Sequence, residues 1–268
     1  MKHHDGNPTA KTEAHTGRTT RRLRFRAVPA LVAATAILLA GCGGSAERPT
    51  LAPTGPSTTT AAVTRVEAPK THLGQVVRAV GELVVHEAPD AASPARTLPA
   101  ATEFGSPTVL LVTDRTVGWV QVLVPGRPLG ATAWIQDQGL DVQAVRSEVR
   151  VDLAARTLTL FEDGVAVLTS PVAIGSPEAP TPAGTFSVTD KLDTGEPSGA
   201  YGPFAIGLSA RSEVLTEFAG GDAQIGIHGT NDPASIGQAV SHGCIRVPND
   251  TITELNERLP LGTPIVVA

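Results

Sequence analysis

Between residues 147 and 268 the chain holds a single cysteine, Cys244, and two histidines, His228 and His242, both within sixteen positions of it. Each histidine is followed by glycine, Gly229 and Gly243. A thiol with an ordinary pKa near 8.5 is only a few per cent thiolate at pH 7, so nucleophilic work needs a base or a cation beside it. Histidine meets that need. Gly243, directly before Cys244, lets the backbone approach a substrate closely, and amide N–H groups around Gly243 and Cys244 can then hold a developing oxyanion. Two other chemistries use the same residues. His228, His242 and Cys244 are possible zinc ligands, although no fourth histidine or cysteine lies in this stretch, and a free cysteine is often an inert buried residue. The catalytic reading is preferred, with no metal and no cofactor expected.

The elements that must position these residues read as β. In Gln224-Ile225-Gly226-Ile227-His228, strand alternation sends the isoleucines to one face and Gln224, Gly226 and His228 to the other. If the isoleucines are core, His228 points out at the strand's end. Upstream, Val149, Val151 and Leu153 alternate, as do Leu158 and Leu160, and Asp163-Gly164 supplies a hairpin turn. Further strands are expected over 165–174, 185–188, 205–208, 225–227 and 265–267. One helix is expected over 250–258, with Ile252, Leu255 and Leu259 on one face. Residues 73–143 carry short apolar runs (Val76-Val77, Leu83 to Val85, Val109 to Val112, Trp119 to Leu123, Ala133 to Ile135) separated by Gly and Pro, the pattern of a small barrel. Trp119 and Trp134 either fill that barrel's core or face a ligand.

Two resemblances organise the reading. His228-Gly229 followed by Ser241-His242-Gly243-Cys244-Ile245-Arg246 resembles the signature of the L,D-transpeptidase catalytic domain, the YkuD-like family. Thr181-Pro182-Ala183-Gly184-Thr185-Phe186 is similar to that family's upstream segment, and Tyr201-Gly202-Pro203-Phe204 to its substrate-facing loop. The likeness covers residues 147–268. Gly118 to Leu123 with Ala133-Trp134-Ile135 resembles bacterial SH3-like modules. The resemblance implies a mainly β protein, an SH3-like barrel (73–143) followed by a β-sandwich-like catalytic domain (147–268) with one helix after the cysteine. It implies that Cys244 attacks an acyl carbon, that His228 shuttles the proton, that His242 and Ser241 orient the pair, and that Gly243 helps form the oxyanion site. Tyr201, Gly229 and Arg246 are the expected substrate contacts, Arg246 through a bidentate hold on a donor carboxylate. The implied donor is a peptidoglycan stem tetrapeptide and the acceptor a stem-peptide amine, joined as a cross-link between third residues, with carbapenems as inhibitors. A carboxypeptidase using the same acyl-enzyme and a non-catalytic wall-binding lipoprotein are the alternatives.

The N-terminus reads as an export signal. Residues 1–26 hold seven basic side chains against Asp5 and Glu13, and residues 27–40 are uncharged, too short a run to span a ~30 Å hydrocarbon core as a helix. The run ends in Leu39-Ala40-Gly41-Cys42, which resembles the bacterial lipobox. Residues 1–41 are thus expected to be a lipoprotein signal peptide. Residues 42–72, rich in Thr, Pro, Ala, Gly and Ser, are expected to be a disordered tether that starts at a lipidated Cys42. That would place the protein on the outer face of the cytoplasmic membrane, reaching into the wall. Without the leader, 14 basic and 24 acidic residues remain, a balance that disfavours nucleic acid as a partner. Changing Cys42 to Ala should abolish a lipid mass adduct and release the protein from membranes; identical fractionation of both forms, with no lipid on the wild type, would rule the anchor out.

Overall fold

The computed structural model describes residues 74–218 and 220–268. The expected signal peptide, tether and lipidated Cys42 lie outside the described residues. Seven strands come first: β1 (Gly74–Arg78), β2 (Leu83–His86), β3 (Ala95–Leu98), β4 (Val109–Thr116), β5 (Trp119–Leu123), β6 (Thr132–Gln136) and β7 (Asp141–Val145). They form one antiparallel sheet in the order β3-β2-β6-β5-β4-β1-β7. Its core gathers Val77, Leu83, Val85, Leu110, Val120, Val122 and Ile135. The five apolar runs of the sequence fall in β1, β2, β4, β5 and β6. The outermost strands, β3 and β7, carry no such run, because each buries one residue, Leu98 or Val145. Trp119 and Trp134 are half-buried and lie on the face opposite Val120, Val122 and Ile135, so neither fills the core.

The second sheet contains β8 (Ser147–Asp152), β9 (Thr157–Glu162) and β10 (Val165–Pro171). After the short β11 (Ile174–Gly175) come β12 (Gly184–Asp193), β13 (Phe204–Arg211) and β14 (Gln224–His228), then β15 (Ala239–Ser241) and β16 (Ile245–Arg246). The helix α1 (Asn249–Arg258) and β17 (Pro264–Val267) complete the chain. Asp163 and Gly164 both have positive φ, 50° and 78°, the two-residue turn that matches strand twist and closes the β9–β10 hairpin. Eight strands run in the order β10-β9-β8-β17-β12-β13-β14-β16, while β11 and β15 pair in parallel on their own. Strand β12 belongs to both halves of this sheet. Residues 184–187 of β12 pair with β17, residues 188–193 pair with β13, and a bulge between Val188 and Asp190 bends the strand between the two partners. One core joins both halves: Val149, Leu160, Phe186, Val188, Ile206, Ile225, Ile227 and Ile245 pack with Ile252 and Leu255 of α1.

The two sheets also touch through polar groups. Thr102 donates to the buried carboxylate of Asp190 (2.5 Å), and Arg127 donates to the carbonyls of Ser212 (2.9 Å), Leu215 (2.7 Å) and Asp222 (3.1 Å). The segment entering β14 is therefore held from the N-terminal sheet.

Candidate active site

The site grows from the pairing of β14 with β16. These strands are parallel, with Ile227 opposite Ile245 and His228 opposite Arg246. Ile225, Ile227, Ile245 and Val247 are buried in the core, so strand alternation puts Gly226, His228, Cys244 and Arg246 on the other face. Cys244 is the one free thiol among the described residues, and it lines a 120 Å³ pocket with His228, Ser241, His242, Arg246 and Tyr201. His228 faces away from the core as its strand requires, yet only 6% of it is exposed. The ring of Tyr201 covers it, centroid to centroid 4.7 Å, at 58°.

Hydrogen bonds assign the imidazole's tautomer. His228 Nδ1 lies 2.6 Å from the Gly229 carbonyl, which can only accept, so Nδ1 carries the hydrogen and Nε2 keeps its lone pair for a substrate or thiol proton. Burial, outweighing that bond, and then the Arg246 charge lower the His228 pKa from 6.5 to about 4. Burial also pushes the Cys244 thiol up, against the pull of the Gly226 amide and Arg246. At neutral pH the resting pair is thus thiol and neutral imidazole, rather than an ion pair.

The cysteine loop is braced from several sides. Ser241 Oγ donates to the Cys244 carbonyl (2.6 Å) and accepts from Gly243 N–H (3.1 Å). That bond occupies the Gly243 amide, one of the two expected oxyanion donors, and leaves the Cys244 amide. Thr181, buried, donates to the Gly243 carbonyl and accepts from Gly175 N–H, both at 2.8 Å. Gly243 has φ 116°, a left-handed conformation that favours glycine, and a Cβ there would press on Ile225 Cδ1 at 2.8 Å.

The other expected residues are dispersed around this centre. His242 is exposed, lines the pocket beside Cys244 and lies against the ring of Phe218 (centroids 5.2 Å apart, tilted by 30°). Gly229 is packed against Gly202 and Asn249; it holds His228 through its carbonyl and is buried away from any substrate. Arg246 contributes a buried Nε with no hydrogen-bond partner among the described residues, a donor that a ligand's carboxylate would satisfy. Asn249, at the start of α1, accepts from Thr230 N–H (2.8 Å) and donates to the Pro197 carbonyl (3.4 Å), tying the loop after His228 to the loop that carries Tyr201. Sequence reading did not single out Asn249 or Phe218. Among the described residues no group of three or more His, Cys, Asp or Glu is placed to hold a metal.

A thiol, a neutral imidazole and a guanidinium on one face of a β-sheet, under an aromatic cap, make a site suited to acyl transfer. The YkuD L,D-transpeptidase catalytic-domain family model matches residues 146–267. YkuD of Bacillus subtilis (strain 168), designated an L,D-transpeptidase, is 32% identical over 146 residues, covering 54% of this chain and 73% of that protein. YkuD of Bacillus licheniformis, with the same designation, is 37% identical over 119 residues, 44% of this chain and 64% of that protein. An NMR structure of the catalytic domain from an E. faecium L,D-transpeptidase is 25% identical, covers 46% of this chain and 96% of that one, and has a TM-score of 0.33. The chain belongs to the YkuD L,D-transpeptidase family.

The low His228 pKa has a thermodynamic consequence. Between pH 6.5 and about 4 the unfolded chain takes a proton on this residue and the folded one does not, so stability must fall as pH falls through that window. The full shift corresponds to about 3 kcal/mol. Urea unfolding of wild type and His228→Gln from pH 7.5 to 4 should show the wild type losing more stability, by up to that amount. Parallel curves would mean that the imidazole is not held neutral.

Proposed function

We propose that the chain is a peptidoglycan L,D-transpeptidase that works through a thioester on Cys244. The observation that carries this reading is the joint placement of Cys244, of His228 with its Nε2 lone pair free, and of Arg246 with an orphaned Nε, all around one pocket. The donor is a stem tetrapeptide. Its terminal D-alanine carboxylate engages Arg246, which sets the preceding carbonyl over the thiol. His228 Nε2 takes the thiol proton as sulfur bonds to the acyl carbon, and the Cys244 amide receives the oxyanion. The imidazolium then gives its proton to the D-alanine nitrogen as the C–N bond breaks. A stem-peptide side-chain amine attacks the thioester, His228 removes its proton, and the thiol is regenerated with a new amide between two third residues.

The neutral resting pair fits this scheme. Charge separation is costly in a buried site, so it develops only when a substrate excludes water and the oxyanion and Arg246 offset it. An L,D-carboxypeptidase would share every step up to the thioester and use water as acceptor. The remaining parts of the reading rest on sequence: an SH3-like N-terminal module, a lipid on Cys42, a site of action at the outer face of the cytoplasmic membrane, and acylation of Cys244 by carbapenems.

Intact-mass spectrometry of the full chain with tetrapeptide, or with a carbapenem, should show one adduct that is absent from Cys244→Ala. His228→Ala should slow acylation by ~10²-fold or more. Arg246→Gln should slow acylation by the tetrapeptide more than alkylation by a small uncharged electrophile. An adduct surviving Cys244→Ala would assign a different nucleophile.

A further inference from the structure

Cys244 and His228 stand where two openings meet. One is the 120 Å³ pocket that holds Arg246. The other is a larger groove of 520 Å³ that leaves Cys244 and His228, passes Tyr201 and Phe218, and follows Leu192, Asp193 and Thr194 toward the N-terminal sheet. Its far wall is the loop between β3 and β4, through Glu103 and Phe104. The catalytic sheet alone does not complete this groove.

Its lining is unusual for this chain. The whole sequence has six Phe, two Trp and one Tyr. Three of these nine line the groove and stay exposed: Tyr201 at 40% and Phe218 at 40%, which stand at the junction and line the first pocket too, and Phe104 at 51%, which belongs to the groove alone. Aromatic side chains left open together around one cleft mark a place where a ligand is meant to cover them. The charges of the two openings also differ. Arg246 supplies the cation of the first. The groove has no lysine or arginine among its lining residues; it carries Glu103, Asp193 and Asp222. Asp222 is paired with Arg211 at 2.5 Å, whereas Glu103 and Asp193 make no ion pair among the described residues.

The two half-reactions proposed above need this division. The donor brings a carboxylate to the thiol, and the acceptor brings an amine that is an ammonium in solution. Resting on that acyl-transfer reading, we infer that the groove is the acceptor subsite and that the N-terminal module supplies its specificity determinants. Phe104 packs against the acceptor stem, and Glu103, with Asp193, draws in its cationic side chain. Near the thioester the ammonium gives its first proton to solvent; the free amine's lone pair then forms the new C–N bond as the C–S bond breaks, and His228 Nε2 passes the second proton from that nitrogen to the departing thiolate. Binding through Glu103 and Phe104 therefore acts on the second step and not on the first.

The test uses the full chain with a stem tetrapeptide as donor and a stem tripeptide carrying the diamino acid as acceptor, since the tripeptide lacks the D-alanine needed to donate. Acylation rate and the partition of the acyl-enzyme between cross-linked product and water are measured separately for wild type, Glu103→Gln, Glu103→Lys and Phe104→Ala. Acylation should stay within about twofold. Partition toward cross-link should fall about tenfold in Glu103→Gln and Phe104→Ala, the equivalent of one lost contact, and further in Glu103→Lys. Glu103→Asp should restore much of it. An unchanged partition ratio in all three variants overturns the inference, as does acylation that falls in step with cross-linking, which would place the donor in the groove. A wild type that forms no acyl-enzyme at all would sink the acyl-transfer reading itself, and this inference with it.

Discussion

The parallel register between β14 and β16 is the constraint on which the rest of the site depends. Its core face buries Ile225, Ile227, Ile245 and Val247, each worth about 1.5–3 kcal/mol on transfer from water. Its other face carries Gly226, His228, Cys244 and Arg246. A slip of one residue in either strand would send that strand's polar groups into the core and its isoleucines into the pocket. Hydrophobic burial on one side thus locks the chemistry on the other. The thiol and imidazole come from strands separated in sequence by a sixteen-residue step, and the register is what makes that separation irrelevant.

Electrostatics then decide the resting state. Two charges exchanged between Cys244 and His228 would be stabilised by their mutual attraction, but burial opposes both, and here burial is the larger influence on each. Arg246 acts in opposite senses on the pair: its charge favours a thiolate and disfavours an imidazolium. Its buried Nε has no hydrogen-bond partner among the described residues. A carboxylate bound there would relieve the orphan donor and offset the effect on His228, making the imidazole a better base once substrate is present.

Much of this was legible in sequence because it depends on periodicity and on local motifs. The alternation in residues 224–228, the Asp163-Gly164 turn and the face of α1 each follow from spacing alone, and the observed helix begins one residue earlier than expected, at Asn249. What was not legible depends on contacts between distant segments. Thr181 reaches Gly243 across sixty-two positions, and Asn249 ties two loops that nothing in their composition connects. The edge strands β3 and β7 have one buried residue each and leave no hydrophobic pattern to read. The contact between His242 and Phe218 is another such distant contact: both line the pocket, and their rings meet across twenty-four positions.

The N-terminal sheet bears on the catalytic site through polar contacts rather than through a shared core alone. Arg127 holds three carbonyls in the segment 212–222, which carries Leu215 and Phe218 into the pocket wall. Thr102 reaches the buried carboxylate of Asp190, next to the bulge where β12 turns from one half of the sheet to the other. A segment with few buried apolar side chains of its own would open at small cost in free energy. Val214 and Phe218 in this segment are both substantially exposed, so the Arg127 bonds add to the segment's own, in which Ser212 Oγ accepts from Leu215 N–H and the amides and carbonyls of Phe218 and Gly221 exchange hydrogen bonds. The N-terminal sheet thus braces, through Arg127, the segment that supplies Leu215 and Phe218 to one wall of the pocket.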